Sequence, residues 1–321
     1  MTAPVPDEIN RFLLDWIGQG WQADPLYGDA STRSYFRVAN SDSRRFMVAW
    51  YPPDVRSDLD RFMRSYRAIS GRARVPEVFH YGSSAVAQAD VGDETLFEVL
   101  NREPEKGAAI YRSAVDLLVD FQQSDPSAHG INPPFDRNKF MEELMMTEEF
   151  FVRQLMKRVE GGSERLAMYE QLCDIITHHP YVLCHRDYHG QNIHIANDQL
   201  FMIDYQDLRL GPDTYDMASL LRDRGVARLL GEAKELELLR YYFSQACPHE
   251  RTEDLERRYR QTLLQRSLKI LGTFANQALL RGRRHYLEFI PPTLESVRFC
   301  LSGLPLFSAL PEIFPMDFQL R

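Results

Sequence analysis

The sequence predicts an α+β fold in two unequal lobes: a small β-rich N-terminal lobe over residues 1–93 and a larger, mostly helical lobe over 94–321. Three observations predict it. Short alternating apolar runs punctuated by turn residues are confined to roughly the first 90 residues. Beyond them, apolar residues recur every three or four positions. One strand-rich island, 181–205, interrupts the helical pattern.

The elements follow in order. Phe12, Leu13, Leu14, Trp16 and Ile17 have helical spacing and stop at Gly18 and Gly20. Ser34 to Val38 and Phe46 to Tyr51, separated by Asn40 to Ser43, read as a β-hairpin. Pro52 and Pro53 break the strand, and residues 58–69 resume helical spacing. Glu77 to Gly82 and Ser84 to Asp90 suggest two more strands. A short hinge is placed near 88–94. Helices are predicted over 107–122, 137–159 and 163–178, then over 216–247 and 252–280. Leu255, Tyr259, Leu263, Ile270 and Phe274 fall close to one face of the last of these. Pro291 and Pro292 precede a final helix ending near Leu301.

Composition excludes several classes. A hydrophobic fraction of 44% with 12% aromatic residues supports a real core and argues against disorder. Thirty-eight Lys and Arg against 46 Asp and Glu leave a net charge of −8, so a nucleic-acid or anionic-membrane surface is not expected. Cys173, Cys184, Cys247 and Cys300 are too far apart for a CxxC motif and read as reduced thiols of a cytoplasmic protein. The first twenty residues lack the basic start and cleavage site of a signal peptide, and no apolar run approaches a membrane span.

The island carries the chemistry. The strand Tyr181 to Cys184 feeds the polar loop His185-Arg186-Asp187-Tyr188-His189-Gly190-Gln191-Asn192; a hairpin turning at Asn197 and Asp198 then returns the chain to Asp204. Three oxygen-bearing side chains, Asp187, Asn192 and Asp204, are thereby expected to gather at one spot. Asn and Asp oxygens suit Mg²⁺, a hard cation usually held by one or two carboxylates plus substrate phosphates. A third carboxylate can orient an acceptor hydroxyl and take its proton. The competing reading is a polar loop whose Asp and Asn merely cap turns. Capping does not explain three such residues converging.

The loop matches the kinase pattern H-R-D-x-x-x-x-N followed by a metal-binding Asp. The segment Asp204-Tyr205-Gln206-Asp207 is not the Asp-Phe-Gly of protein kinases. With Gly211, Pro212, Tyr215 and Asp216 beyond it, the segment resembles the aminoglycoside phosphotransferase/choline kinase superfamily, which has a protein-kinase-like fold. Within that superfamily the chain is most similar to the bacterial N-acetylmuramate/N-acetylglucosamine anomeric kinases of cell-wall recycling. The stretches that carry this are Asp29 to Arg37, Pro52-Pro53, Val75-Pro76, Asp90 to Asp93, Leu220 to Asp223, and Gln265-Arg266, Leu268-Lys269, Gly272 and Phe274, with Tyr286-Leu287 and Ile290-Pro291 beyond.

The resemblance implies a small-molecule kinase using ATP and Mg²⁺. Asp187 would be the catalytic base, and Asn192 and Asp204 the metal ligands. His185, His189 and Asp216 would be structural at the site. Ser31, Thr32, Arg33 and Asp90 would bind the nucleotide; Arg33 or Arg37 would neutralise phosphate charge. Asp207 is open between the acceptor and a backbone turn. There is no P-loop motif and no G-x-G-x-x-G. Kinases usually place a phosphate-binding Lys on the third strand, but Val48 to Tyr51 has none. That absence fits the anomeric kinases and equally a non-catalytic, nucleotide-binding relative. The favoured acceptor is an N-acetylated amino sugar, with an aminoglycoside or choline-like acceptor as the alternative.

Overall fold

The computed structural model describes residues 5–26, 33–41 and 44–319. Ser31 and Thr32 lie outside the described residues.

Helix α1 (Asp7–Ile17) buries Ile9, Phe12 and Leu13 along one stripe and ends where Gly18 takes a φ of 73°. Five antiparallel strands follow: β1 (Gln22–Leu26), β2 (Ser34–Ala39), β3 (Arg45–Trp50), β4 (Val78–Tyr81) and β5 (Ala85–Ala89). They form one sheet in the order β1-β2-β3-β5-β4. Strand alternation divides its residues between two cores. Phe36, Val38, Val48, Ala85 and Ala87 pack with α1, whereas Ala49 and Val86 face α2 (Ser57–Ile69) and the main core. β1 was not read from the sequence: its Gln22-Ala23-Asp24-Pro25 is a poor strand former, and pairing with β2 makes it one.

α3 (Leu96–Arg102) opens the helical lobe. It too escaped the periodicity reading, although Thr95 and Glu98 form a full capping box: the Glu98 N–H donates to Thr95 Oγ1 (3.2 Å) and the Thr95 N–H to Glu98 Oε2 (2.9 Å). α4 (Pro104–Gln122) and α5 (Arg137–Met146) follow.

The helix expected over 137–159 runs unbroken from Arg137 to Leu155 but changes its winding midway. From Thr147 to Leu155 the chain is a π-helix. Its wider turn places residues five apart over one another; Arg153 donates to Glu148 and Gln154 to Glu149. α6 (Gly162–Ile176) leads into β6 (Tyr181–Cys184), and β7 (Ile193–Ala196) and β8 (Gln199–Met202) make the predicted hairpin. A further strand, β9 (Arg209–Pro212), pairs with β6.

The single helix expected over 216–247 is three: α7 (Tyr215–Arg222), α8 (Val226–Leu230) and α9 (Glu232–Ala246). Left-handed Arg224, with φ 54°, and Gly225 break the first junction, and Gly231 breaks the second. α10 (Thr252–Leu280), α11 (Ile290–Ser302) and the short α12 (Leu310–Ile313) complete the lobe. α10 presses so closely on the π-helix that a Cβ on Gly272 would lie 2.7 Å from the Thr147 backbone. No described helix is long and apolar enough to cross a membrane.

Candidate active site

A cleft of about 810 Å³ runs between the sheet and the helical lobe. Its floor is the loop that leaves β6. β6 pairs with β9 from Tyr181 opposite Pro212 to Cys184 opposite Arg209, which carries Asp216 of α7 beneath the loop. The pairing needs glycine at 211, where a Cβ would lie 2.6 Å from the Phe135 ring. The fully buried Asp216 carboxylate accepts the backbone N–H groups of His185 (2.7 Å) and Arg186 (2.9 Å). Burial pushes the Asp216 pKa up, against the pull of those two amides.

Between these anchors Arg186 takes a φ of 80°, a conformation that persists only where the surroundings over-determine it. The His185 ring joins the loop to the hairpin. Its Nδ1 accepts from the Asp187 N–H (3.3 Å), so its Nε2 donates to the Ile203 carbonyl (2.8 Å).

Asp187, Asn192 and Asp204 all line the cleft. Asn192 Nδ2 donates to the Asp187 carbonyl (2.9 Å), and the Ile203 N–H donates to the Asn192 carbonyl (3.0 Å). Those bonds bring Asp204 beside the loop, in a left-handed turn with φ 61°. The next residue, Tyr205, is buried and stacks on Phe62 of α2 at 5.2 Å. Packing against α2 thus fixes where the Asp204 carboxylate sits.

Asp204 Oδ1 accepts from Arg33 Nη2 (3.1 Å) and Gln206 Nε2 (2.9 Å). Among the described residues, Asp204 Oδ2 and Asn192 Oδ1 accept no hydrogen bond. Two such oxygens on adjoining chain segments match the donor set of a hard divalent cation, and the residues present fit Mg²⁺.

Half of the Asp187 side chain is open to the cleft. Withdrawal from bulk water raises its pKa, but Lys269 and Arg266 more than offset this and hold it well below the usual carboxylate range. Arg266 is a buried guanidinium 3.7 Å from Asp187. It donates to the Arg186 carbonyl (2.6 Å), to Ser219 Oγ (2.8 Å) and to Asp223 (2.5 Å). Gln265, the residue before it, donates to the buried Glu143 (3.1 Å), which lies 3.6 Å from Arg186. His189 also lines the cleft; burial and the neighbouring Arg224 push its pKa down to about 4.

The nucleotide-side residues separate. Arg33 reaches into the cleft over the rings of Tyr35 and Tyr51, 5.8 and 5.6 Å from their centroids. Arg37 is engaged elsewhere, by Asp90 (2.7 Å) and Asp93 (2.8 Å). Asp90 is not among the residues lining the cleft; its carboxylate is taken by Arg37 and by the Gly92 N–H. Its side chain is thus engaged within the hinge, two and three residues from Gly92 and Asp93, which do line the cleft. Asp207 resolves to an ion pair with Arg61 of α2 (3.6 Å).

Sequence reasoning missed Arg266, Lys269, Asp223 and Arg224 as parts of the site. The first two stand in a quoted motif, at a three-residue spacing that puts both on one face of α10. Asp223 closes the stretch Leu220-Leu221-Arg222-Asp223, which also carries the resemblance; nothing local announced Arg224.

An antiparallel sheet facing a helical lobe, with an Asp- and Asn-bearing loop and a second acidic turn meeting in the cleft between them, is the architecture of the kinase-like phosphotransferases. Residues 23–260 match the model of the phosphotransferase enzyme family, and the chain belongs to that family. It is 27% identical over 317 residues to the N-acetylmuramate/N-acetylglucosamine kinase of Pseudomonas aeruginosa, covering 93% of this chain and 91% of that one. To the protein of the same name from Neisseria meningitidis serogroup B it is 28% identical over 283 residues, covering 84% and 83%. The one from Caulobacter vibrioides is 30% identical over 312 residues, covering 84% of each.

Among solved structures it is similar to a spectinomycin phosphotransferase in complex with ADP and spectinomycin, with a TM-score of 0.63, 14% identity, and coverage of 94% of this chain and 99% of that one. An ethanolamine kinase of Plasmodium vivax aligns with a TM-score of 0.61 at 14% identity, covering 93% and 87%. Those two show the fold.

Proposed function

We propose that this phosphotransferase moves the γ-phosphoryl group of ATP onto the anomeric hydroxyl of N-acetylmuramate or N-acetylglucosamine, yielding the sugar 1-phosphate and ADP. The observation that carries this is the convergence of Asp187, Asn192 and Asp204 on one cleft, in a chain similar along most of its length to kinases of that name. Residues 1–93 serve as the nucleotide-binding lobe and 94–321 as the catalytic and substrate lobe.

In this reading Asp187 accepts the proton of the sugar hydroxyl while the new O–P bond forms and the bond from the γ-phosphorus to the β,γ-bridging oxygen breaks. The carboxyl group is held in its ionised form, so it is available to orient that hydroxyl and receive its proton across the neutral range. His185 and Asp216 position the loop and touch no substrate. Asn192 and Asp204 would hold Mg²⁺, which when bound neutralises charge on the phosphates.

Arg33, already at Asp204, supplies the cation that the third strand lacks, and its geometry favours turnover over the non-catalytic alternative. The assignment of Ser31 and Thr32 to the phosphates rests on the sequence alone. Asp90 would contribute through its pairing with Arg37 at the hinge.

Incubation with Mg·ATP and, separately, N-acetylglucosamine, N-acetylmuramate, kanamycin or choline tests the acceptor. Acid-labile phosphate appearing only with the two sugars is the expected result; phosphorylation of kanamycin or choline alone rejects it. Asp187→Asn should remove most turnover, by about 10²–10⁴-fold, while leaving nucleotide binding nearly intact. A kcat near wild type would mean that Asp187 is not the base.

A further inference from the structure

Five basic side chains line the cleft: Arg33, Arg61, Arg224, Arg266 and Lys269. Arg33 is paired with Asp204, Arg61 with Asp58 and Asp207, and Arg266 with Asp223. Among the described residues, the ammonium of Lys269 and the guanidinium of Arg224 make neither an ion pair nor a hydrogen bond; Arg224 only stacks on Phe289 at 5.2 Å. Each carboxylate lining the cleft has a cation within 4 Å: Asp58 at 2.8, Asp93 at 2.8, Asp187 at 3.7, Asp204 at 3.1, Asp207 at 3.6 and Asp223 at 2.5 Å. Arg61 and Arg266 each serve two of these carboxylates, and Arg37 reaches Asp93 from outside the lining, so Lys269 and Arg224 are the cleft cations that no carboxylate of the described residues engages directly.

Both belong to the acceptor half. Lys269 exerts the strongest charge effect on Asp187, and Arg224 does so on His189, two residues along the same loop. Lys269 projects from the face of α10 that also presents Arg266, Thr273 and Gln277 to the cleft. Arg224 comes from the break between α7 and α8, where a non-glycine residue holds a φ of 54°. A partly enclosed cation without a partner costs solvation that an arriving anion restores. Guanidinium and ammonium together suit a carboxylate.

We propose that Arg224 and Lys269 form a carboxylate-binding subsite for the acceptor, so that the carboxylated sugar N-acetylmuramate is bound more tightly than the neutral N-acetylglucosamine. This rests on the amino-sugar reading above and adds to it the residues that set preference between the two. The competing role for the pair is contact with the transferring phosphoryl group, which would affect both acceptors alike.

The test measures KM and kcat for both sugars at saturating Mg·ATP in the wild type, Arg224→Gln and Lys269→Met. Each variant should raise KM for N-acetylmuramate by about tenfold and move KM for N-acetylglucosamine by less than about twofold, with Arg224→Lys recovering part of the loss; Lys269→Met should also lower kcat for both sugars alike, because Lys269 faces Asp187 as well. A second measurement needs no variant. Raising ionic strength should narrow the wild-type preference for N-acetylmuramate, because the contact is between charges near solvent. Equal rises in KM for both sugars, a rise in KM for ATP instead, or a wild-type preference that is absent or insensitive to salt would each overturn the subsite. If the wild type phosphorylates neither sugar, the proposed function itself falls and the subsite with it. Sugar phosphorylation with an unchanged KM ratio in the variants removes only the subsite.

Discussion

Arg266→Met is the sharpest test of how the catalytic loop is held. Methionine keeps much of the side-chain volume but removes the donors to the Arg186 carbonyl, Ser219 and Asp223. Asp223, 6% exposed, would then retain only the Ser219 hydroxyl at 2.7 Å. Stranding one member of a buried ion pair costs about 3–5 kcal/mol. The orphaned Arg186 carbonyl adds to this, at about 1–3 kcal/mol for an unsatisfied buried group. Burial of the methionine itself recovers about 1–2 kcal/mol. The expected net loss is therefore about 2–7 kcal/mol, a large share of a typical domain stability of about 5–15 kcal/mol.

Urea denaturation of the wild type, Arg266→Met, Asp223→Asn and the double variant measures it. The double variant should regain about 1–3 kcal/mol relative to the sum of the singles, since no charge is left stranded. Turnover should not recover. The Arg186 carbonyl stays unanchored and Asp187 has lost the guanidinium at 3.7 Å, and a displacement of about 1 Å at the base costs about 10²-fold. A single variant destabilised by less than about 1 kcal/mol, or a double variant with wild-type turnover, would refute the reasoning.

Asp204→Ala should weaken Mg·ATP binding by at least about tenfold in calorimetry while leaving acceptor affinity nearly unchanged, because in the proposed reading the lost group would hold the metal on the phosphates; unaltered Mg·ATP affinity rejects the assignment. Gly272→Ala should destabilise the fold by about 1–3 kcal/mol: the added Cβ meets Thr147 backbone at 2.7 Å, and this strain exceeds the gain of up to about 1 kcal/mol in helix propensity. A stabilised variant in thermal or urea melts would count against that close approach. Burial pushes the pKa of His179 down to about 4, against its hydrogen bond to Gln261. The unfolded chain then binds the proton more readily, so stability falls as pH drops from about 6.5 towards 4. Between pH 7 and 5 this group contributes roughly 2 kcal/mol of the decline; His179→Gln should flatten it by that amount, and an unchanged slope in urea melts excludes the account.

The chain announces its chemistry locally. The run from His185 to Asn192 and the return to Asp204 lie within twenty residues, so strand, loop and hairpin converge by short-range geometry and can be read from spacing. The hairpin of β2 and β3 and the length of α10 were equally accessible, because periodicity and turn residues act over a few positions. β9 was not. Arg209 to Pro212 has no strand signature of its own and becomes a strand by pairing with β6 across a gap filled by the whole active-site loop.

The same limit explains the π-helix, whose turns are stabilised from outside by buried Arg165 on Glu148 and by Gly272 against Thr147. It also explains the division of labour between two arginines of the N-terminal lobe. Arg33 and Arg37 are four residues apart in a β-hairpin region and equally cationic, yet one reaches Asp204 and the other closes on Asp90 and Asp93. Which does which depends on where the hinge and the β8 turn come to rest. Arg224, Arg266 and Lys269 likewise enter the site from segments 37 to 82 residues beyond Asp187. Charges that meet only after chain folding leave no pattern at short spacing, so catalytic identity is written in neighbouring residues, while the electrostatic surroundings that tune it come from long-range packing.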